Sequence, residues 1–169
     1  MNPLLFGYLA AAIIVFSALA VTRKNPVHAI LFMIVMFFHL AVMYLGLDAE
    51  FLAAIQIIVY AGAILVLFLF VVMVLNIKEE MSGERFSSGW PLGISLAAGI
   101  FLLAIIMTGN VFPLGQQGIY TPALIASETH TKALGSLMYT QYIFPFELAS
   151  LILLVAVIGA IVLAKKRLR

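Results

Sequence analysis

Four side chains carry the polar chemistry available inside the apolar segments of this sequence: His39, Gln56, Tyr60 and Glu147. Ionisable or strongly polar groups are costly in such surroundings, so each marks a candidate functional position. Gln56 and Tyr60 are four residues apart and share a helical face. Ala61, Gly62 and Ala63 follow directly, and residues this small let another backbone come close. Two readings are open for the patch. It is a tight packing seam, or it is a π-bulge in which one extra residue frees a carbonyl and lets the helix twist.

Glu147 comes two residues after Pro145, which predicts a place at about N3 of a helix. There it is either a capping carboxylate held by the helix macrodipole or a buried proton acceptor near the outer mouth of a proton path. His28 precedes His39 by 11 residues, close to three helical turns, so both fall on one stripe with Phe32 and Val35. They lie ~16 Å apart along the axis, too far to share one metal or haem. A short turn at Asp48 folds the chain back and brings His39 to the depth of Ile57 to Tyr60. That predicts a hydrogen bond from His39 to Gln56, Tyr60 or a carbonyl freed beside them. The alternative is a histidine filling an interhelical polar niche.

The absences narrow the chemistry further. The chain has 169 residues and no cysteine, which excludes a disulfide framework, a thiolate-bound iron–sulfur cluster and a cysteine nucleophile. No apolar segment contains a lysine, an arginine or a pair of central carboxylates, so no complete proton relay is present. Phosphate loops, hydrolase triad spacings and histidine pairs at haem geometry are missing too. This chain is not expected to be an enzyme or a pump by itself, and no metal or cofactor is expected on it.

The elements that must position these residues follow from composition. Hydrophobic residues make up 65% and charged residues 9%, with a mean hydropathy of +1.21. The solvent of such a chain is lipid. The net charge of +2 gives no reason to expect nucleic acid as a partner. Five apolar segments are predicted as membrane helices, at about 3–21, 26–47, 51–77, 91–107 and 145–164, with a long loop at 108–144. They form one all-α membrane domain over 1–169. The third run, Phe51 to Ile77, has no ionisable group except the Tyr60 phenol. Its 27 residues would span ~40 Å against a hydrocarbon core of about 30 Å, so it must tilt, kink or widen locally. Its polar patch lies ~8 to 18 Å from Phe51, near mid-depth.

Helix starts are marked. Asn2-Pro3 and Asn25-Pro26 each offer an N-cap followed by proline at N1. Asp48 is expected to cap the third helix, and Trp90-Pro91 to open the fourth with an interfacial aromatic. Within the long loop, which also carries Pro113 and Pro122, Glu128 to Tyr142 reads either as a short interfacial helix or as irregular chain. Eight of the nine basic residues fall on one side of this scheme: Arg23, Lys24, Lys78, Arg85, Lys165, Lys166, Arg167 and Arg169. Lys132 is alone on the other. The bias predicts an outside (periplasmic) N-terminus and a cytoplasmic C-terminus. Ala156, Ala160 and Ala164 beside Gly159, and Gly93 with Ala97, form small-residue seams that suggest packing inside a larger assembly.

The segment YAGAILVLFLFVVMVLN, from Tyr60, resembles the third helix of the subunit J family of proton-translocating NADH:quinone oxidoreductase (respiratory complex I). The mitochondrial counterpart of that family is NADH dehydrogenase subunit six. Asn25-Pro26-Val27-His28 resembles the family's entry to the second helix. The stretch from Thr131 to Ala164, TKALGSLMYTQYIFPFELASLILLVAVIGAIVLA, resembles its last loop and helix. The fourth span matches by order and length alone.

The resemblance implies a multi-pass subunit of a bacterial plasma (inner) membrane. Its partners would be a quinone-channel subunit and antiporter-like subunits, with NAD, FMN, iron–sulfur clusters and quinone held on other chains. It also implies a π-bulge near Tyr60, Ala61 and Gly62 whose rotation makes or breaks a water path. Glu147 matches the family's acid at the start of the last helix. Some relatives carry glutamate where this chain has Gln56, which cannot titrate but can order water. Within the superfamily, the counterpart subunit of a membrane-bound hydrogenase or cation/proton antiporter complex is an alternative. A purely structural scaffold is another.

Overall fold

The computed structural model describes residues 1–75, 90–110, 121, 125 and 127–165. Among them every regular element is a helix. Lys78 and Arg85, the prolines at 113 and 122, and the tail residues Lys166, Arg167 and Arg169 lie outside the described residues, as do Asn76 and Ile77 at the expected end of the third run. The chain forms two compact units, Met1–Gln116 and Gln117–Arg169.

The first unit is built on an antiparallel succession of helices. Helix α1 spans Pro3–Thr22 and α2 spans Pro26–Gly46. Both begin as the Asn-Pro pairs predict. The Asn2 side chain accepts from the Leu4 backbone N–H at 2.9 Å, and Asn25 accepts from Val27 at 3.0 Å. Proline at the first helical position gives up an N–H that would have had no partner. The third span runs Glu50–Val74 in three pieces: α3 at Glu50–Ile55, a π-helical segment at Gln56–Ile64 and α4 at Leu65–Val74. Its 25 residues extend ~37 Å, still longer than the hydrocarbon core. Helix α5 follows at Trp90–Asn110.

Helix α2 packs on α1 along one face and on the third span along the other. The best-buried cluster lies on the second of these faces. Ile30 meets Leu65 and Val72 there, with Val27, Met33, Ile34, Phe37 and Leu69 around them. Against α1, α2 presents Phe32 stacked on Phe16 with centroids 6.3 Å apart. Met36 stands there too, its sulfur 2.9 Å from the Ser17 hydroxyl.

The α2–α3 turn differs from the expected cap. Asp48 has φ 59, the left-handed conformation that often follows a helix C-terminus. It closes α2 through Asp48 N–H to Leu45 O at 3.1 Å and Ala49 N–H to Tyr44 O at 2.9 Å. The N-cap of α3 is Ala49, with no side-chain cap. The turn needs a residue that tolerates positive φ, and a short polar side chain meets that need where a glycine is absent.

In the second unit, α6 spans His130–Thr140 and α7 spans Ile143–Ala164. Glu128 to Tyr142 therefore contains a helix. Ala133 is buried, with Leu134, Leu137 and Met138 half-buried beside it, and Tyr139 meets Phe146 edge-on at 5.0 Å. Among the described residues four helices are long and apolar enough to cross a membrane, and a shorter apolar stretch lies at Pro91–Met107. Two of them share one property. Every described side chain of α5 is exposed, and α7 buries no residue.

Candidate functional site

The third span changes register in its middle. Its buried positions are Ala53, Gln56, Ala61, Leu65 and Val72, with Leu69 half-buried among them. Steps of three or four residues keep one face of an α-helix inward. The step from Gln56 to Ala61 is five residues, the spacing of a π-helix. The hydrogen bonding agrees: the Leu65 backbone N–H reaches Tyr60 O, five residues back. An extra residue has been taken into the helix between Gln56 and Leu65, so α4 turns a different face inward than an unbroken α-helix would.

The predicted patch residues divide across this segment. Gln56 opens it and is 5% exposed. Its amide has no hydrogen-bond partner among the described residues. No buried side-chain nitrogen or oxygen there is wholly enclosed without a partner, so the amide is not sealed inside the chain. Ala61 is buried against α2, whereas Tyr60, Gly62 and Ala63 are exposed. The Tyr60 ring meets Phe37 edge-on at 5.8 Å. At Gly62, a Cβ would stand 3.1 Å from the Ile57 carbonyl oxygen. That atom lies five residues back, so the close approach is a product of the π geometry.

His39 does not join this patch. Its Nδ1 lies 2.8 Å from Val35 O, and its Nε2 lies 3.3 Å from the Tyr8 hydroxyl. A carbonyl only accepts, so Nδ1 donates to Val35 O, and in the neutral ring Nε2 accepts from the Tyr8 O–H. The ring also packs on Phe16, with centroids 5.3 Å apart. The expected bond from His39 to Gln56, Tyr60 or a freed carbonyl is therefore corrected: the stripe of Phe32, Val35 and His39 faces α1. Depth alone chose the third span, but α2 has two helix neighbours. Tyr8 was missed. Folding about the Arg23–Asn25 turn, in place of Asp48, puts residue 39 level with residues 8 and 9, which is the signal that would have found it.

Glu147 is also displaced from its expected place. Helix α7 starts at Ile143, because Pro145 sits at the third helical position, where its missing N–H costs no intrahelical bond. Glu147 is then the fifth helical residue, and the first turn holds no acid. Its carboxylate is exposed, while its carbonyl accepts from the Ser150 hydroxyl at 2.7 Å. The capping role does not hold. An exposed carboxylate on an apolar helix needs a polar neighbour from elsewhere.

Residues 16–163 match the model of the family described as NADH-ubiquinone/plastoquinone oxidoreductase chain 6. The match covers most of the chain. The chain belongs to this family. Among its relatives, NADH-ubiquinone oxidoreductase chain 6 of Marchantia polymorpha is 41% identical over 95% of this chain and 85% of the relative. The protein of the same name from Prototheca wickerhamii is 39% identical over 96% and 86%. NADH-quinone oxidoreductase subunit J of Rickettsia typhi is 35% identical over 96% and 80%. Family membership and the apolar helices together make this a multi-pass membrane protein. The relatives come from both organelles and bacteria.

Proposed function

We propose that this chain is a membrane-arm subunit of NADH:quinone oxidoreductase whose third span gates a proton or water path by exchanging the π register at Gln56–Ile64 for an α register. The observation that supports this reading is the five-residue step between Gln56 and Ala61 at mid-span. Removing the extra residue would rotate α4 by about 100° relative to α3 and shift it ~1.5 Å along the axis. Such a rotation carries Tyr60, whose ring now meets Phe37 at the edge of the α2 contact, into the place of the buried Ala61. A phenol can join or break a hydrogen-bonded chain of water, and an alanine cannot. Gln56, with an amide that donates and accepts, would hold one end of that chain, with Glu147 and His39 kept as further candidates along the proton path. In this reading NADH oxidation, iron–sulfur transfer and quinone reduction take place on partner chains. NAD, FMN, the clusters and quinone are held there as well.

Five membrane spans, with the N-terminus outside and the C-terminus cytoplasmic, complete the proposal. The uncovered surfaces of α5 and α7 fit a place among other membrane subunits, including the quinone-channel and antiporter-like ones. At Gly93 and Gly159 nothing lies within 4 Å of where a Cβ would be, so these small-residue seams are open to a neighbouring helix.

Replacing Gly62 by Val in the assembled enzyme tests the gate. In proteoliposomes the variant is expected to assemble and to oxidise NADH, while pumping fewer protons per NADH. Wild-type proton yield, with the π register shown to be lost, would refute the gate and leave a scaffold.

A further inference from the structure

We propose that the turn between α1 and α2 is a binding site for the headgroup of an anionic phospholipid. A cavity of about 460 Å³ opens there, lined by Thr22, Arg23, Lys24, Asn25 and His28. That is within the range of small-ligand pockets, roughly 300–1,000 Å³. Arg23 and Lys24 line it, and neither forms an ion pair with a carboxylate among the described residues, where the one ion pair is Lys132 with Glu128. The Arg23 guanidinium lies 5.0 Å from the centroid of the Phe32 ring, a cation–π contact that favours this placement of the charge beside the turn. Asn25 has its side-chain oxygen committed to the Val27 N–H, which leaves its amide NH₂ as a donor. The lining thus offers several donors, two positive charges and no competing acid.

The setting selects a lipid over a free anion. The turn joins two membrane-spanning helices, so it lies at the level of the headgroups whichever side faces the cytoplasm. Further along the two helices the surface is apolar and exposed: Val21, next to Thr22, is 85% exposed and Leu31 46% exposed. Leu31 is three residues after His28 and therefore on its face. Phosphate over Arg23 and Lys24 with acyl chains along Val21 and Leu31 satisfies both halves at once. A free phosphate would use the first and leave the second in contact with nothing of its own. The charge distribution of the chain puts this turn on the basic side of the membrane, where anionic lipids attract juxtamembrane cations.

The test uses the assembled enzyme, delipidated in detergent and titrated with phosphatidylglycerol, with bound lipid counted by native mass spectrometry. Lys24→Gln removes a charge without touching the Phe32 contact, and Arg23→Gln with Lys24→Gln removes both. Loss of surface cations weakens such binding by roughly fivefold each, so about 25-fold is expected for the pair. Phosphatidylcholine should not fill the site, and 10 mM inorganic phosphate, on the order of ten times a millimolar dissociation constant, should not empty it. Equal phosphatidylglycerol binding by wild type and both variants overturns the proposal, as does equal binding of phosphatidylcholine. Displacement by inorganic phosphate overturns it in favour of a free-anion site. The readout is independent of proton pumping, so failure of the gate leaves it standing.

Discussion

Gly62→Ala is the smallest change that separates the π register of the third span from the α register proposed for it. In the π register the added methyl stands 3.1 Å from Ile57 O. Ordinary contact for a Cβ begins at 3.4 Å, so about 0.3 Å must be given up. Its π neighbours Tyr60, Ala61, Ala63 and Ile64 already carry a Cβ, so the segment tolerates such contacts at a cost. Spread over backbone angles, the cost is about 1 kcal/mol. In an α register Ile57 O would bond to residue 61, and the new methyl would meet only what every helical alanine meets. The substitution should therefore shift the balance toward the α register by about 1 kcal/mol, a factor of roughly five. Cryo-electron microscopy of the assembled variant, sorted by the backbone of residues 56–65, measures the fraction in each register. If the π register must form in each cycle, proton transfer slows by up to about fivefold, and Gly62→Val, with its branched side chain, should slow it more. An unchanged π fraction in Gly62→Ala would refute the strain argument. A changed fraction with unchanged pumping would refute the gate.

Three further outcomes follow from the packing. The Tyr8–His39 bond ties α1 to α2, so Tyr8→Phe and His39→Leu should be non-additive by about 0.6 kcal/mol in a thermal-stability cycle; strict additivity would mean that the bond contributes nothing. Asp48→Gly should stabilise the α2–α3 turn by about 0.5–1 kcal/mol, because glycine takes φ 59 without strain. Asp48→Ile should destabilise it by more, as read by the melting temperature of the assembled enzyme. Ile30, only 1% exposed at the centre of the α2–third span contact, should cost about 2–5 kcal/mol when cut to Ala. Limited proteolysis of the folded complex would show no gain in sensitivity if that packing were unimportant.

Helix existence was legible in the sequence because lipid enforces it: a run of twenty apolar residues has no other way to satisfy its backbone. The starts of α1 and α2 were legible because asparagine and proline act locally, within two residues of the cap. What was lost depended on choices among near-equivalent surfaces. Helix α2 is apolar on both faces, so nothing in its own pattern says whether His39 turns to Tyr8 or to Gln56. Asp48 suits an N-cap and a left-handed turn equally well, and the geometry of Tyr44 to Ala49 decides. At Pro145 the helix begins two residues earlier than the proline suggests, since N3 needs an N–H no more than N1 does.

The register of the third span was hidden for a reason that bears on its function. The inward residues after the π segment are Leu65, Leu69 and Val72; one position earlier the chain reads Ile64, Phe68 and Val71. A shift by one residue replaces aliphatic by aliphatic at 65 and at 72, so each register offers α2 a nearly equal surface. Leu69 exchanges for the larger, aromatic Phe68, and Ala61 for Tyr60, the one exchange that brings in a polar group. Such degeneracy would keep the two packings of the proposed gate within a few kcal/mol, the range in which binding or chemistry elsewhere can drive one into the other. It also makes adjacent valines informative. Val72 is buried in the π register at 6% exposure, and Val71 is exposed at 38%. Val72→Ala should weaken the π register by about 1 kcal/mol, a factor of roughly five, while Val71→Ala should weaken the α register by a similar amount. The two variants should move the π fraction in opposite directions when the assembled enzyme is imaged. Movement in the same direction would mean that the third span has one packing against α2, and that the degeneracy of its sequence serves no exchange.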